Sequence, residues 1–270
     1  MVEIMSRTEK INEIYYNRAA SNYERTVRIH DEGNKARIRR ILSTIIRRPD
    51  SKVLDVCCGV GLYLSVLKDF VQPESLHGID ISPEMLKLSG RYCQNVQKAS
   101  VYELPFPEAS FDLVTCSSAL HHLEHLDRAL SEISRVLKPG GLFLSDYDNN
   151  VYFARYDVWR RRLTKALLVY PILLKVFGRW TPGRDQEELA AKELESLSDE
   201  ELHRLAEHQN LHHDGIHPRH LSGLLRKAGF EDVQIYTFHS YRWNDGKKCN
   251  LFTSLSNNKI YSISRKTSSG

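Results

Sequence analysis

Ser51-Lys52-Val53-Leu54-Asp55-Val56-Cys57-Cys58-Gly59-Val60-Gly61-Leu62-Tyr63-Leu64 is the stretch that decides the fold of this 270-residue chain. Aliphatic residues around one acid at 53–56 predict a short buried strand, and the Cys-Cys-Gly-Val-Gly segment predicts a tight turn. Leu62 to Phe70 reads as the helix that follows. A strand, a turn and a helix in that order form a unit that holds a nucleotide.

Charge narrows which nucleotide. A dinucleotide turn takes Gly at its first, third and sixth places, so that pyrophosphate settles on the helix amino terminus. Here those places hold Cys57, Gly59 and Leu62, and Asp55 at the strand end repels pyrophosphate but attracts an amino group. S-adenosylmethionine (SAM) carries an ammonium and a sulfonium and no phosphate. Val-Leu-Asp-Val-Cys-Cys-Gly-Val-Gly at 53–61 resembles the first motif of the class I SAM-dependent methyltransferases, with Cys57 in place of its first Gly and Val60 in place of its Thr. Cys57 is small enough to leave the turn open.

Composition sets the frame. Hydrophobic residues make up 41% of the chain, enough for the core of one large α/β domain with an insertion. The net charge of +4 comes from dispersed residues of both signs, so no nucleic-acid partner is expected. The five cysteines lack Cys-x-x-Cys spacing, and Cys57 and Cys58 are adjacent in the cofactor turn, which reads as a reduced, cytoplasmic protein. Met1 to Lys10 lacks a signal-peptide core, and no window is long and apolar enough to span a membrane.

Two helical patterns open the chain, Lys10 to Arg28 and Gly33 to Arg48, the second with Ile38, Ile41, Leu42, Ile45 and Ile46 on one face. Tyr16 and Tyr23 are either core aromatics of amphipathic helices or part of a segment that resembles the family's Tyr-Asp…Tyr-Asp cofactor cap, with Asn17 and Glu24 in place of the acids. Ser75 to Asp80 predicts a second strand, and Ser82-Pro83-Glu84-Met85 a capped helix start. Asp80 sits where a doubly wound fold places the carboxylate that takes the ribose hydroxyls. Gln94 to Ala99 predicts a third strand. Ser100-Val101-Tyr102-Glu103-Leu104-Pro105-Phe106 resembles the family segment whose Asp accepts from the adenine amine; with Ser100 there, the base is expected to be held more by the backbone around Val101 and by apolar contact.

Phe111 to Cys116 predicts the fourth strand, and Ser117 to Leu123 the loop at its carboxyl end, where ligands of open α/β sheets bind. Leu126 to Leu137 reads as a helix stopped by Lys138-Pro139-Gly140-Gly141, with Leu142 to Asp146 the fifth strand. Arg135 to Gly141 again resembles the family. Residues 149–215 exceed the minimal sheet: an Arg-, aromatic- and aliphatic-rich stretch, then two acidic amphipathic helices, the second opened by the capping box Ser198-Asp199-Glu200-Glu201. Pro218 to Ala228 predicts a helix, and Asp232 to Tyr236 and Lys259 to Ser264 the last two strands.

The expected architecture is therefore α/β: a Rossmann-like, seven-stranded, mostly parallel sheet with one antiparallel strand, helices on both faces and a helical lid insertion. Its parts are an amino-terminal helical cap at 1–48, a SAM-binding core at 49–150, the lid or substrate insertion at 151–215, and the closing helix and strands at 216–270. The resemblance implies a cofactor site of Asp55, Cys57, Gly59, Gly61, Asp80, Ile81, Met85, Ser100, Val101, Tyr102 and Ser117.

Ala119-Leu120-His121-His122-Leu123 resembles the Ala-Ile-Leu-His-Ile loop of phosphoethanolamine methyltransferases, where the His pairs with an amino-terminal Tyr. That implies His122 as a catalytic residue with Tyr16 or Tyr23 as its partner; the plainer reading leaves His121 and His122 as loop residues. His212, His213, His217 and His220 match no structural zinc spacing, and no metal is expected. The apolar run 163–177 beside Arg160-Arg161-Arg162 fits either burial on the sheet or contact with a membrane surface. The function implied is methyl transfer from SAM to a small or lipid-like acceptor by in-line displacement, since oxygen, nitrogen, carbon and sulfur nucleophiles all suit this cofactor. Two other classes compete: a non-catalytic SAM-binding scaffold, and a nicotinamide-dependent oxidoreductase, which Cys57, Leu62 and Asp55 disfavour.

Overall fold

The structure, a computed structural model, describes residues 5–27, 31–152, 191–208, 215–238, 247–248 and 259–268. The strands are Val53–Val56 (β1), Leu76–Asp80 (β2), Asn95–Lys98 (β3), Phe111–Ser117 (β4), Leu137–Asn149 (β5), Phe230–Phe238 (β6), Lys247–Lys248 (β7) and Lys259–Lys266 (β8). They form one sheet in the order β3-β2-β1-β4-β5-β8-β6-β7. The first five run parallel, and β8 lies antiparallel between β5 and β6. The seven strands expected are all there. The two-residue β7, antiparallel to the edge of β6, is an addition that no hydrophobic alternation announces.

Alternation along the strands feeds two cores. Val114 and Phe143 pack on one face with Leu130 and Ile133 of helix Leu126–Val136 (α5) and with Leu225 of helix Pro218–Lys227. Leu113 and Leu144 pack on the other with Ile38 and Leu42 of helix Glu32–Ile45 (α2) and with Leu64 and Leu67 of helix Leu62–Leu67 (α3). Ser82 caps helix Pro83–Ser89 (α4) as predicted, its hydroxyl accepting from the Met85 N–H at 3.2 Å.

Some boundaries differ from the sequence reading. The fifth strand begins at Leu137, five residues earlier than expected, because Lys138-Pro139-Gly140-Gly141 enters the sheet through a register shift opposite Phe111 and Leu113. Gly140 takes φ +76° there, and a Cβ on Gly141 would lie 2.9 Å from the Lys138 carbonyl oxygen. The glycines thus form a bulge within the strand.

The first helix, Arg7–Val27 (α1), packs against the end of the insertion. Helices Ala191–Ser196 (α6) and Asp199–His208 (α7) bury Leu194, Leu202 and Ala206 against Ile11 and Ile14. Arg18 donates to the Leu197 carbonyl at 2.7 Å, and Ser198 and Glu201 make the predicted capping box. The first helix and residues 191–208, read from the sequence as separate segments, share one small core. Residues 153–190 and 209–214, including Arg160, Arg161, Arg162, His212, His213 and the run 163–177, lie outside the described residues. No helix among the described residues is long and apolar enough to cross a membrane.

Candidate active site

β1 pairs with β2 on one side and with β4 on the other, so the chain's connections diverge there and leave a crevice over the carboxyl ends of the strands. The cleft over those ends is concave, as small-molecule sites are. Asp55, Cys57, Gly59, Asp80, Ile81, Met85, Val101, Tyr102 and Ser117 line it, as do Tyr16, Tyr23 and His122. Two residues expected at the cofactor do not. Gly61, at φ +86°, is pressed against the C-terminal end of α4, where a Cβ would meet the Tyr92 ring at 2.9 Å. The Ser100 hydroxyl is turned to the Glu9 carboxylate of α1.

The turn after β1 is tied down by the acid at the end of β2. Asp80 Oδ2 accepts from the Gly59 N–H at 2.8 Å, and its Oδ1 accepts from the Ser82 N–H at 2.9 Å. A Cβ on Gly59 would meet nothing within 4 Å, so the turn presents bare backbone to open space. Cys57, Ser118 and Tyr147 adopt φ of +53°, +55° and +65°, and all three line the cleft. A left-handed conformation costs a residue with a side chain about 1–2 kcal/mol, so strain is concentrated at the ends of β1, β4 and β5. The turn forms with Cys57, but in a conformation that Gly would take without strain.

Two buried carboxylates set the electrostatics. Burial pushes Asp55 up to about 7, against the opposing hydrogen bond from the Thr115 hydroxyl at 2.6 Å, and the nearby Asp80 adds to the rise. Burial also raises Asp80, while the Ser82 and Gly59 N–H groups oppose it. A pair of desolvated acids in one crevice favours a cationic ligand and disfavours a pyrophosphate.

The double histidine divides into two roles. His121 turns away from the cleft, and its Nδ1 lies 2.8 Å from Asp148 Oδ1. Burial pushes Asp148 up to about 7. His122 faces the cleft, with Nε2 3.0 Å from the Tyr16 hydroxyl and Nδ1 3.4 Å from the Ala206 carbonyl of α7. A carbonyl only accepts, so Nδ1 carries the proton and Nε2 accepts from Tyr16. The Tyr23 ring stands edge-on to Tyr16, with centroids 5.8 Å apart. Of the histidines at the end of the insertion, His217 caps helix Pro218–Lys227 (α8) and meets the Tyr152 hydroxyl at 2.8 Å.

A family model described as a methyltransferase domain matches residues 54–145, from the first strand through the fifth, which is the segment that builds this cleft. Residues 54–145 are thus a methyltransferase domain of the class I, SAM-dependent kind. The chain carrying it is an enzyme that uses SAM as its cofactor. Among curated relatives, the demethylmenaquinone methyltransferase of Staphylococcus carnosus is 25% identical over 249 residues, covering 88% of this chain and 92% of that one. That of Lactiplantibacillus plantarum is 29% identical over 234 residues, covering 82% and 87%. A SAM-dependent methyltransferase of Thermotoga maritima shares the fold at TM-score 0.58 and 16% identity, covering 94% of this chain and 99% of that one.

The sequence reading missed several residues of the cleft. Tyr63 and Tyr147 carry no motif signal. Nor do Glu9 and Asn12, which only share a helical face with Tyr16 at spacings of three and four.

Proposed function

We propose that this enzyme methylates a quinol-like aromatic acceptor with an apolar body, and that Tyr16 and His122 accept the proton the acceptor gives up. The observation that carries this reading is the Tyr16–His122 contact inside the cleft. The names of the relatives support the acceptor class, since both act on demethylmenaquinone by name. So does the lining of the cleft, to which Ala119, Leu123 and Val60 contribute apolar side chains.

The acids and the turn suit SAM. Asp55 would hold the ammonium, Asp80 would accept from the ribose hydroxyls, and the bare Gly59 backbone would leave room for the ligand to pass. When bound, SAM supplies a methyl carbon made electrophilic by its sulfonium. With SAM in place, the cleft would align the acceptor's nucleophilic oxygen or ring carbon with that methyl, and S-adenosylhomocysteine would be the leaving product. The acceptor's hydroxyl proton passes to His122 Nε2, directly or through the Tyr16 hydroxyl. General-base help of this kind contributes about 10²–10⁴-fold. Alignment of the acceptor and exclusion of water by α1 and α7 supply the rest.

The test is a comparison of acceptors. A reduced naphthoquinone bearing a short apolar tail should give S-adenosylhomocysteine well above background, while amines and carboxylates of similar size should not. Equal turnover of an amine would transfer the reading to another acceptor class.

A further inference from the structure

The amide oxygen of Asn12 is buried, lacks a hydrogen-bond partner among the described residues, and belongs to a residue that lines the cleft and is 6% exposed. Buried acceptors in native proteins are nearly always met by a donor, so one left open at a ligand cleft points to a donor on the ligand. One turn earlier on α1, Glu9 also lines the cleft. Its Oε2 accepts from the Ser6 N–H at 3.1 Å, and its Oε1 accepts from the Ser100 hydroxyl. Each carboxylate oxygen keeps room for a second donor.

Strand order says which part of the ligand reaches them. The sheet runs β3-β2-β1-β4. Asp80 closes β2, and His122 follows β4, two strands away. A nucleoside with its ribose on Asp80 and its reactive end toward β4 must extend its base the other way, over the end of β3. That is where Ser100, Val101 and Tyr102 lie, and where α1 delivers Glu9. A base amine there brings two N–H donors to a region whose open acceptors are an amide oxygen and a carboxylate.

We propose that Asn12 and Glu9 recognise the exocyclic amine of adenine, so that the first helix selects the base as well as covering it. The proposal rests on the reading that Asp80 holds the ribose. It assigns to α1 a selectivity that Ser100, already turned to Glu9, does not supply.

Calorimetric titration with S-adenosylhomocysteine and with S-inosylhomocysteine, whose base carries a carbonyl in place of the amine, tests it without turnover. The wild-type protein should bind the adenine ligand at least about tenfold more tightly, because an open acceptor facing a carbonyl is penalised. Asn12→Leu should shrink that ratio several-fold by weakening the adenine ligand, and Glu9→Gln should shrink it too, because it loses the carboxylate's charge and gains an N–H that suits the inosine carbonyl, whereas Asn12→Asp, which adds no donor, should preserve it. A purely structural role in α1 would lower thermal stability and leave the ratio untouched. An unchanged ratio in folded Glu9→Gln and Asn12→Leu overturns the proposal; if Asn12→Leu does not fold, Glu9→Gln decides. Equal wild-type affinity for the two ligands overturns it as well. Failure of S-adenosylhomocysteine to bind at all would overturn the ribose reading, and this inference with it.

Discussion

The Tyr16 hydroxyl donates to His122 Nε2 across 3.0 Å, joining the first helix to the loop after the fourth strand although 106 residues separate them in the chain. The α7 carbonyl of Ala206 meets the other ring nitrogen, so cap, sheet and insertion converge on one imidazole. Replacing either partner should therefore act on chemistry more than on cofactor binding. His122→Ala is expected to lower kcat about 10²-fold or more, and Tyr16→Phe less, with SAM affinity within a few fold of wild type. Steady-state kinetics together with titration of SAM check this; unchanged kcat in His122→Ala would return the pair to a structural role.

Asp80 ties down the turn after β1 and, on the proposed reading, also holds the ribose, so its removal should show both. Asp80→Ala is expected to weaken SAM binding at least about tenfold, given the strength of hydrogen bonds to an ionised acceptor. It should also cost about 1–3 kcal/mol of stability, because the Gly59 and Ser82 N–H groups lose their acceptor. Calorimetry and urea denaturation separate the two effects.

The pH dependence of cofactor affinity follows from Asp55. Burial raises this carboxyl to about 7, and an ammonium ligand requires its ionised form. Below that value the free protein holds a proton that binding must expel. Affinity should thus fall as pH drops through about 7, by no more than about tenfold per unit, and level off above it. Titrations across that range should show this fall for wild type and a flat profile for Asp55→Asn. A flat wild-type profile would exclude Asp55 as the ammonium partner.

Arg37 and Asp146 form a wholly buried ion pair at 2.6 Å, and the Tyr63 hydroxyl donates to the same oxygen of Asp146, also at 2.6 Å. The guanidinium lies over the Phe238 ring, 4.1 Å from its centroid. This network locks α2 and the cleft-lining Tyr63 to β5. Removing one partner strands a charge, so Arg37→Met should cost about 3–5 kcal/mol, and the double replacement with Asp146→Leu should cost less than the sum of the two single ones. Chemical denaturation of the three variants measures the coupling.

The centre of the sheet was legible in the sequence because β1 and β2 are short, largely apolar runs that end at an acid or a turn, as in Val53 to Asp55 and Leu76 to Asp80. The bulge at Gly140 was not, because a Pro-Gly-Gly run stops a helix and breaks a strand with equal readiness, and only the register with Phe111 tells them apart. In the cleft, the residues after β1, β2 and β4 announced themselves by motif. Asn12 and Glu9 did not, because a polar stripe on an amphipathic helix looks the same whether it faces water or a ligand. The resemblance of the loop at 119–123 pointed to His122 as the histidine at the site, but the physical reason was not legible, since Asp148 claims His121 only once β5 lies beside the loop.

The most direct test follows a labelled methyl group. Incubating the enzyme with methyl-labelled SAM and a reduced, apolar-tailed naphthoquinone, then extracting into organic solvent, should yield the acceptor carrying one labelled methyl and an equal amount of S-adenosylhomocysteine. Label that stays in SAM, although SAM binds and the acceptor is present in its reduced form, would contradict transfer to a quinol-like ring.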